Sequence, residues 1–553
     1  MAIITINRKI FEKEIGKLDE KMQNKIAMFG TPIENLNEEE LQIEIFPNRP
    51  DLLSYHGFKR SFLSFLEKKP GLKQYKLNKP EKNYQVYIDS SVKDIRPYTV
   101  CAIIKNLKLD NEKIKELIEI QEKIHITIGR KRKKAAIGIY PLEKIKLPIT
   151  FKAIEPDKIK FLPLESQREL SGLQILQHHP TGKEYAHLLA GKTKFPIFLD
   201  SNNEILSMPP IINSQLTGKV TEQTKDIFIE CSGFDFEILK KILNILTTTL
   251  AEMGGEIYQM ELKGNKKATT PDLIPEKMKI SFENANKLLG INISEKQLKN
   301  LVEKMGCNYL QKTKEVEIPS WRIDILHEVD LIEDLAIAYG YENFTSEIPS
   351  ISTIGEINQK EEIKTKISEI LAGLGFLEVS NFHLTTKKDQ FEKMGLSEKN
   401  ENNILEIKES KTDYNLLRKN LIHYLLKNLS ENVDSEYPQK IFETGKIFNY
   451  EKDKKVSEKE NLAIAIAPGN FTDLKQILEY LSKMLEIKIE LNEPESSNTP
   501  EHFIDGRCCE IVSEKTKIGY LGEIHPKILR NWKIKIPVVI LEINLEEIFN
   551  YFK

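Results

Sequence analysis

The sequence predicts an α+β protein of several domains, and three observations carry that prediction. At 553 residues the chain exceeds what one hydrophobic core holds and should divide into about three to five domains. Short β-branched runs bounded by turns crowd residues from about 86 to 262, the pattern of strands. Longer stretches with apolar residues at helical spacing, such as Phe236 to Met253, punctuate and close those runs.

Residues 1–85 alternate short apolar runs with charged segments. The turn Pro47-Asn-Arg-Pro-Asp51 leads into a predicted helix from Leu52 to Leu66, with Asp51 in capping position. From 86 to 263 the predicted strands are Gln85–Ile88, Tyr98–Ile104, Ala135–Ile139, Phe195–Leu199 and Asp226–Glu230. The segment closes on the 236–253 helix, whose Leu239, Ile242, Leu243, Leu246 and Leu250 share a face. Asp200-Ser-Asn-Asn203 has the composition of a hairpin turn, so Asp200 reads as a turn residue rather than a base. Asn265 to Asp272 reads as a linker.

Residues 273–345 form a small helix-rich unit, with helices starting at Ser281 and Ser294 and a strand near Val316. A winged-helix DNA reader has this outline too, but these helices lack the Arg, Asn or Gln cluster that base readout requires. The unit ends in an acidic helix. After Pro319, Asp324 is placed to cap, and Asp330, Glu333 and Asp334 follow at i, i+3 and i+4 on one helical surface. Hard oxygen ligands on a rigid element suit Mg²⁺, although an ordinary solvated acidic face satisfies the same spacing. Residues 358–553 open with a helix from Gln359 to Leu374 and continue as mixed helices and strands.

Composition excludes several classes. Lys and Arg number 81 against 83 Asp and Glu, a formal charge of −2, so any contact with nucleic acid must be local or shared with a partner. No apolar run approaches a membrane span, and the first residues lack the layout of a signal peptide; a cytoplasmic location is expected. Cys101, Cys231, Cys307, Cys508 and Cys509 show no Cys-x-x-Cys spacing, so they read as core residues rather than as a zinc or disulfide framework. Gly191-Lys-Thr193 is not a phosphate-binding loop, because Ala186 stands where that motif needs glycine.

Four motifs occur in order along nearly the whole chain: Phe46-Pro-Asn-Arg-Pro-Asp-Leu-Leu-Ser54, Leu206-Ser-Met-Pro-Pro-Ile-Ile-Asn-Ser214, Trp321-Arg-Ile-Asp-Ile-Leu-His-Glu-Val-Asp330 with its helix, and Tyr437-Pro-Gln-Lys-Ile-Phe-Glu-Thr-Gly445. Together they resemble the β subunit of phenylalanine–tRNA ligases in its shorter, archaeal and eukaryotic form. The resemblance implies an N-terminal α+β module over 1–85 and a mixed α/β tRNA-editing domain over 86–263. It further implies a small metal-site domain over 273–345 and a class II synthetase-like antiparallel-sheet domain over 358–553. That last domain lacks the family's Gly-x-Gly-x-Gly-x-x-Arg motif, and Phe442-Glu443-Thr-Gly445 lacks the usual Arg before the Glu. It therefore reads as scaffold, with no catalytic residue for aminoacylation and with ATP bound on a partner α subunit.

For this chain itself the resemblance implies hydrolytic editing of Tyr-tRNA-Phe, within an (αβ)₂ heterotetramer that binds tRNA-Phe. A second pocket that hydrogen-bonds a phenol can reject phenylalanine by about 10⁴ to 10⁵. The expected editing pocket is Glu204, Ser207, Asn213, Ser214 and Thr217, where Pro209 and Pro210 stiffen the backbone beside adaptable polar side chains. Arg130, Arg132 and Lys133, in the densest basic run, are the expected phosphate contacts to tRNA. Asp324, Asp330, Glu333 and Asp334 become an architectural Mg²⁺ site. His179 and His187, eight residues apart without further ligands, read as structural. A freestanding aminoacyl-tRNA deacylase and a non-catalytic tRNA-binding scaffold are the alternatives.

Overall fold

The structure, a computed structural model, describes residues 2–264, 266–396, 404–450, 455–494 and 499–552. It divides into two compact units, residues 1–348 and 349–553.

The first unit begins with a three-stranded antiparallel sheet in the order Ala2–Asn7, Glu40–Ile45, Ile33–Leu36. Alternation puts Ile4, Ile6, Leu41 and Ile43 on one buried face. The helix expected from Leu52 to Leu66 is shorter. Pro50–Leu52 is a 3₁₀ turn, and the α-helix runs Tyr55–Phe65, capped by the Ser54 hydroxyl, which accepts from Gly57 N at 3.0 Å. Asp51 is not the cap: it is fully buried and takes a two-pronged ion pair from Arg49, both contacts 2.9 Å. Burial drives this, because the Arg49 guanidinium cannot be left under the helix unpartnered.

Residues 77–270 build one large mixed sheet. Its order is Ile212–Asn213, Ile205–Met208, Phe195–Leu199, Ile149–Ile154, Gln85–Ile88, Glu256–Lys263, Tyr98–Lys105, Ile227–Gly233, Ala135–Pro141. All the strands expected from the sequence are present, with ends shifted by a few residues. Ala268–Thr270 pairs with Met260–Leu262, so the stretch read as a linker contributes a strand; its Asn265 lies outside the described residues. Asp200 is confirmed as a turn residue: its carboxylate accepts from Asn202 N, Glu204 N and Lys146 N. The helix Phe236–Glu252 is capped by Asp235 and packs its apolar face on the strands 98–105 and 227–233.

The small domain has strands Glu276–Lys279, Glu315–Ile318 and Asn308–Leu310, and helices Phe282–Leu289, Glu295–Lys304 and Glu328–Tyr339. The acidic helix starts later than expected. His327 is its N-cap, completed by Asp330 as a capping box, and Asp324 caps nothing.

The second unit is a seven-stranded sheet in the order Leu377–Glu378, Gln439–Tyr450, Val456–Ala467, Val539–Asn544, Thr516–Ile524, Phe503–Ser513, Glu490–Asn492, antiparallel except for its first pair. Helices Gln359–Gly373, Ile422–Glu431 and Phe471–Met484 cover it. Glu443 of the Phe-Glu-Thr-Gly motif is buried and paired with buried Arg418 at 2.6 Å. Gly445 makes room for that guanidinium, since a Cβ there would lie 2.3 Å from Arg418 Nη2.

The N-terminal turn offers a direct comparison of a cap with a buried charge. Ser54→Ala should cost about 1 kcal/mol, and Asp51→Ala, which strands Arg49, about 3–5 kcal/mol. Amide hydrogen exchange of the 55–65 helix checks the order: Asp51→Ala should lose far more protection than Ser54→Ala.

Candidate functional site

A cleft of about 530 Å³ opens on the central sheet. The helix Asn111–Ile126, capped by Asp110, brings Ile114, Leu117, Ile118, Gln121, Glu122 and His125 to it. The strand Ala135–Pro141 adds Ile137 and Ile139, and the segment Pro209–Asn213 forms the facing wall. Its lining thus combines aliphatic walls with polar and charged groups that converge on it, a combination found in small-molecule sites.

Those polar groups are unevenly satisfied. On the neighbouring strand 227–233, Glu230 is 2 % exposed. The Tyr140 hydroxyl lies 3.3 Å from its Oε1 and 3.4 Å from Asn213 Oδ1, while Glu230 Oε2 has no hydrogen-bond partner. Burial pushes the Glu230 carboxyl up to about 8, only partly opposed by Arg96, Tyr140 and Ser232. Arg96 cannot fully neutralise it, because its Nε is spent on Ser232 Oγ and its Nη2 on the Ser232 carbonyl. At neutral pH Glu230 is therefore a protonated acid able to donate as well as accept. Gly138 is what lets the two groups approach: a Cβ there would stand 2.2 Å from Tyr140 Oη and 2.5 Å from Glu230 Oε1.

Two histidines have assignable tautomers. His125 Nε2 accepts from Ile137 N at 2.9 Å, so Nδ1 carries the proton and donates to Glu122 Oε1 at 3.1 Å. Burial lowers its pKa and keeps it neutral. His179 donates from Nε2 to the Leu164 carbonyl at 3.0 Å, which leaves Nδ1 as an acceptor; that atom is buried and unpartnered.

Arg132 reaches the cleft through an unusual turn. Arg130, Lys131 and Arg132 all have positive φ, 46°, 52° and 63°, a conformation costly for side-chain-bearing residues and typical of functional segments. The turn delivers the Arg132 guanidinium onto the Ile211 carbonyl at 2.9 Å, Glu122 Oε1 at 3.0 Å and the face of Tyr185 at 4.4 Å.

Three family models match the chain: a B3/4 domain over residues 87–251, a tRNA synthetase B5 domain over 278–341 and a phenylalanyl tRNA synthetase beta chain CLM domain over 345–545. The phenylalanine–tRNA ligase beta subunit of Thermococcus sibiricus is 39% identical over 91% of this chain and 90% of its own. That of Archaeoglobus fulgidus is 36% identical over 100% of this chain and 99% of its own. The chain belongs to the phenylalanine–tRNA ligase beta-subunit family. A crystal structure of an N-terminal fragment of the phenylalanyl-tRNA synthetase beta subunit from Pyrococcus horikoshii covers 61% of this chain at 36% identity, with a TM-score of 0.58. All residues lining the cleft fall within the B3/4 match, and the acidic helix falls within the B5 match.

The expected pocket residues divide. Asn213 lines the cleft. Ser207 is buried on the strand opposite it, Ser214 is buried and accepts from Leu216 N, and Thr217 is buried against the Leu206 carbonyl; these three support the wall rather than face the cavity. Glu204 is corrected: it is exposed at the end of the hairpin turn, because its backbone is held by Asp200. Arg132 is a wall of the cleft rather than a free phosphate contact, while Arg130 and Lys133 are exposed. Glu230, Tyr140, His125 and His179 were not among the expected residues.

The four carboxylates of the B5 region do not converge. Arg322 takes Asp324 at 2.7 Å and Asp334 at 2.9 Å, and Asp330 Oδ2 turns back onto Leu326 N and His327 N, both 2.8 Å. Glu333 is exposed. Among the described residues no group of three or more His, Cys, Asp or Glu is placed to hold a metal ion. The physical reason is that a guanidinium already supplies the positive charge Asp324 and Asp334 need. As arranged, the four do not fit one common Mg²⁺.

Glu230 makes stability depend on pH with a defined sign. Its folded pKa of about 8 lies above the ordinary 4.5, so its contribution is complete below that ordinary value and is lost as pH rises through the folded one. Glu230→Gln should remove this dependence. Melting temperatures at pH 5 and pH 9 check it: the variant should gain on the wild-type protein at the higher pH, by an amount on the order of a few kcal/mol.

Proposed function

We propose that this chain is the β subunit of a cytoplasmic phenylalanine–tRNA ligase, paired with an α subunit as (αβ)₂, and that its central cleft hydrolyses tyrosine wrongly esterified to tRNA-Phe. The observation that supports this most is Glu230, a buried carboxyl with one unpartnered oxygen at a cleft that also has aliphatic walls. The aliphatic walls suit an aromatic ring. A protonated carboxyl beside Tyr140 and Asn213 can both give a hydrogen bond to a phenol oxygen and receive one, whereas a phenylalanine ring would leave those groups unpaired.

Hydrolysis adds water to the ester carbonyl carbon; the bond to the ribose oxygen breaks, and that oxygen receives a proton. In this reading His179 Nδ1, a ring nitrogen at the cleft without a partner, orients the water and takes its proton. His125 is not available for that role, since both its ring nitrogens are engaged. Arg132 holds the wall and Glu122 in register. Exposed Arg130 and Lys133 lie on the same turn and are the proposed contacts to tRNA phosphates. ATP-dependent activation belongs to the α subunit. Any Mg²⁺ at the acidic helix takes Glu333 and the second oxygen of Asp330, with further ligands from water or the α subunit, as a support for assembly.

Deacylation assays on the native complex test the cleft. Glu230→Ala should reduce the preference for Tyr-tRNA-Phe over Phe-tRNA-Phe by about a hundredfold or more, and His179→Ala should slow hydrolysis by about 10²-fold with little loss of that preference. Equal preference in wild type and Glu230→Ala would show that the phenol is read elsewhere. The division of labour has its own check: the chain expressed alone should catalyse no ATP–pyrophosphate exchange. For the acidic helix, metal analysis of the native complex should show reduced Mg²⁺ in Asp330→Ala and Glu333→Ala; unchanged occupancy rules the ligand assignment out.

A further inference from the structure

A second cavity, of about 490 Å³, lies between the helix Tyr55–Phe65, the turn that follows it and the Pro319–Arg322 turn of the small domain. It shares no lining residue with the central cleft. Its cationic lining is Arg49, Lys59, Arg60, Lys69, Lys73 and Arg322, against one carboxylate, Glu252.

Most of that charge is already answered. Arg49 pairs with Asp51, Lys59 with Glu14, Lys73 with Glu252, and Arg322 with Asp324 and Asp334. Arg60 and Lys69 have no ion pair among the described residues. Arg60 is 8 % exposed, yet its Nε and Nη2 have no hydrogen-bond partner. Its Nη1 donates to the Tyr75 hydroxyl at 3.2 Å, and the guanidinium lies 4.3 Å over the Trp321 ring. Arg322 Nη1 is likewise buried and unpartnered. Native proteins rarely leave buried donors unmade, and here they belong to two guanidinium groups on one cavity wall.

We propose that this cavity binds the phosphoryl group of a small phosphorylated ligand. The planar fork of a guanidinium matches phosphate oxygens two at a time, and Lys69 at the exposed rim adds a mobile point charge. A small ligand fits better than an RNA backbone. Arg60 is nine-tenths buried, out of reach of a strand lying along the surface, and Trp321 is already covered by Arg60 and so offers no face for base stacking.

Isothermal titration of the full-length chain with inorganic pyrophosphate is the test. Saturable binding to one site is expected, weakened about tenfold or more in Lys69→Glu, a rim substitution that reverses a charge without disturbing the interior. Arg60→Lys, which keeps the charge and loses the fork, should also weaken it; a melting curve of each variant confirms that it is folded. Absence of saturable binding to the wild-type chain, or equal affinity in Lys69→Glu, overturns the site. Displacement of pyrophosphate by deacylated tRNA overturns the assignment to a small ligand.

Discussion

Charge removed from water must be met by charge, and the first unit is organised around that demand. Arg49, Asp51, Arg322 and Asp334 are all buried or nearly so, with Arg60 packed beside them on Trp321. Arg322 is the pivot. It lies on the turn before the acidic helix and takes one carboxylate from that turn and another from the helix, so neither can shift without stranding a charge at a cost of several kcal/mol. Around this cluster the modules are pinned by directed bonds: Ser64 Oγ to the Glu303 carbonyl, Leu72 N to Asn308, and Asn244 of the long helix to the carbonyls of Asp272 and Ser320. The N-terminal module, the long helix of the central sheet and the small domain thus meet through polar contacts whose geometry admits little slippage.

The central cleft applies the same constraint and resolves it differently. Asp51 is buried with a guanidinium against it and is held below the usual carboxylate range despite its burial. Glu230 is buried with its nearest cation committed to Ser232, and it is held above that range instead. One arrangement makes a fixed joint. The other leaves a neutral acid whose second oxygen awaits a partner, and such a group is costly unless a ligand completes it. The difference lies in where the adjacent arginine spends its donors.

The strands were legible in the sequence because β-branched runs and turn residues are local signals. Asn213 was legible too, carried by the stiff Pro209-Pro210 segment. Glu230 was not: within Ile227–Gly233 it is one carboxylate in a buried apolar strand, and its meaning comes from Tyr140 and Gly138, some ninety residues earlier, brought beside it by strand pairing. His179 was visible but looked structural, since its unpaired nitrogen depends on a carbonyl fifteen residues away in sequence. The acidic helix misled for the opposite reason. Its i, i+3, i+4 spacing is real, but the spacing says nothing of Arg322, which stands between two of the carboxylates. Local periodicity fixes which face a residue shares; only the fold decides which opposite charge arrives there.

The second unit carries this logic to its limit. Arg418 is among the largest fully buried side chains; its Nε donates to the Lys446 carbonyl and its Nη1 to Glu443 and the Asn381 carbonyl. Glu542 is also closed in: it accepts from Asn461 and from the backbone N–H groups of Leu421 and Ile422, and so caps from another strand a helix whose own N-cap residue makes no side-chain bond. A site that activates an amino acid with ATP needs cations facing an open cavity, where they can meet phosphate. In this unit the buried Arg418, Glu443 and Glu542 are turned on partners inside the protein. Unpartnered buried polar atoms occur in both units, at His502 and Trp532 as well as at Glu230 and His179, and the latter two line the central cleft.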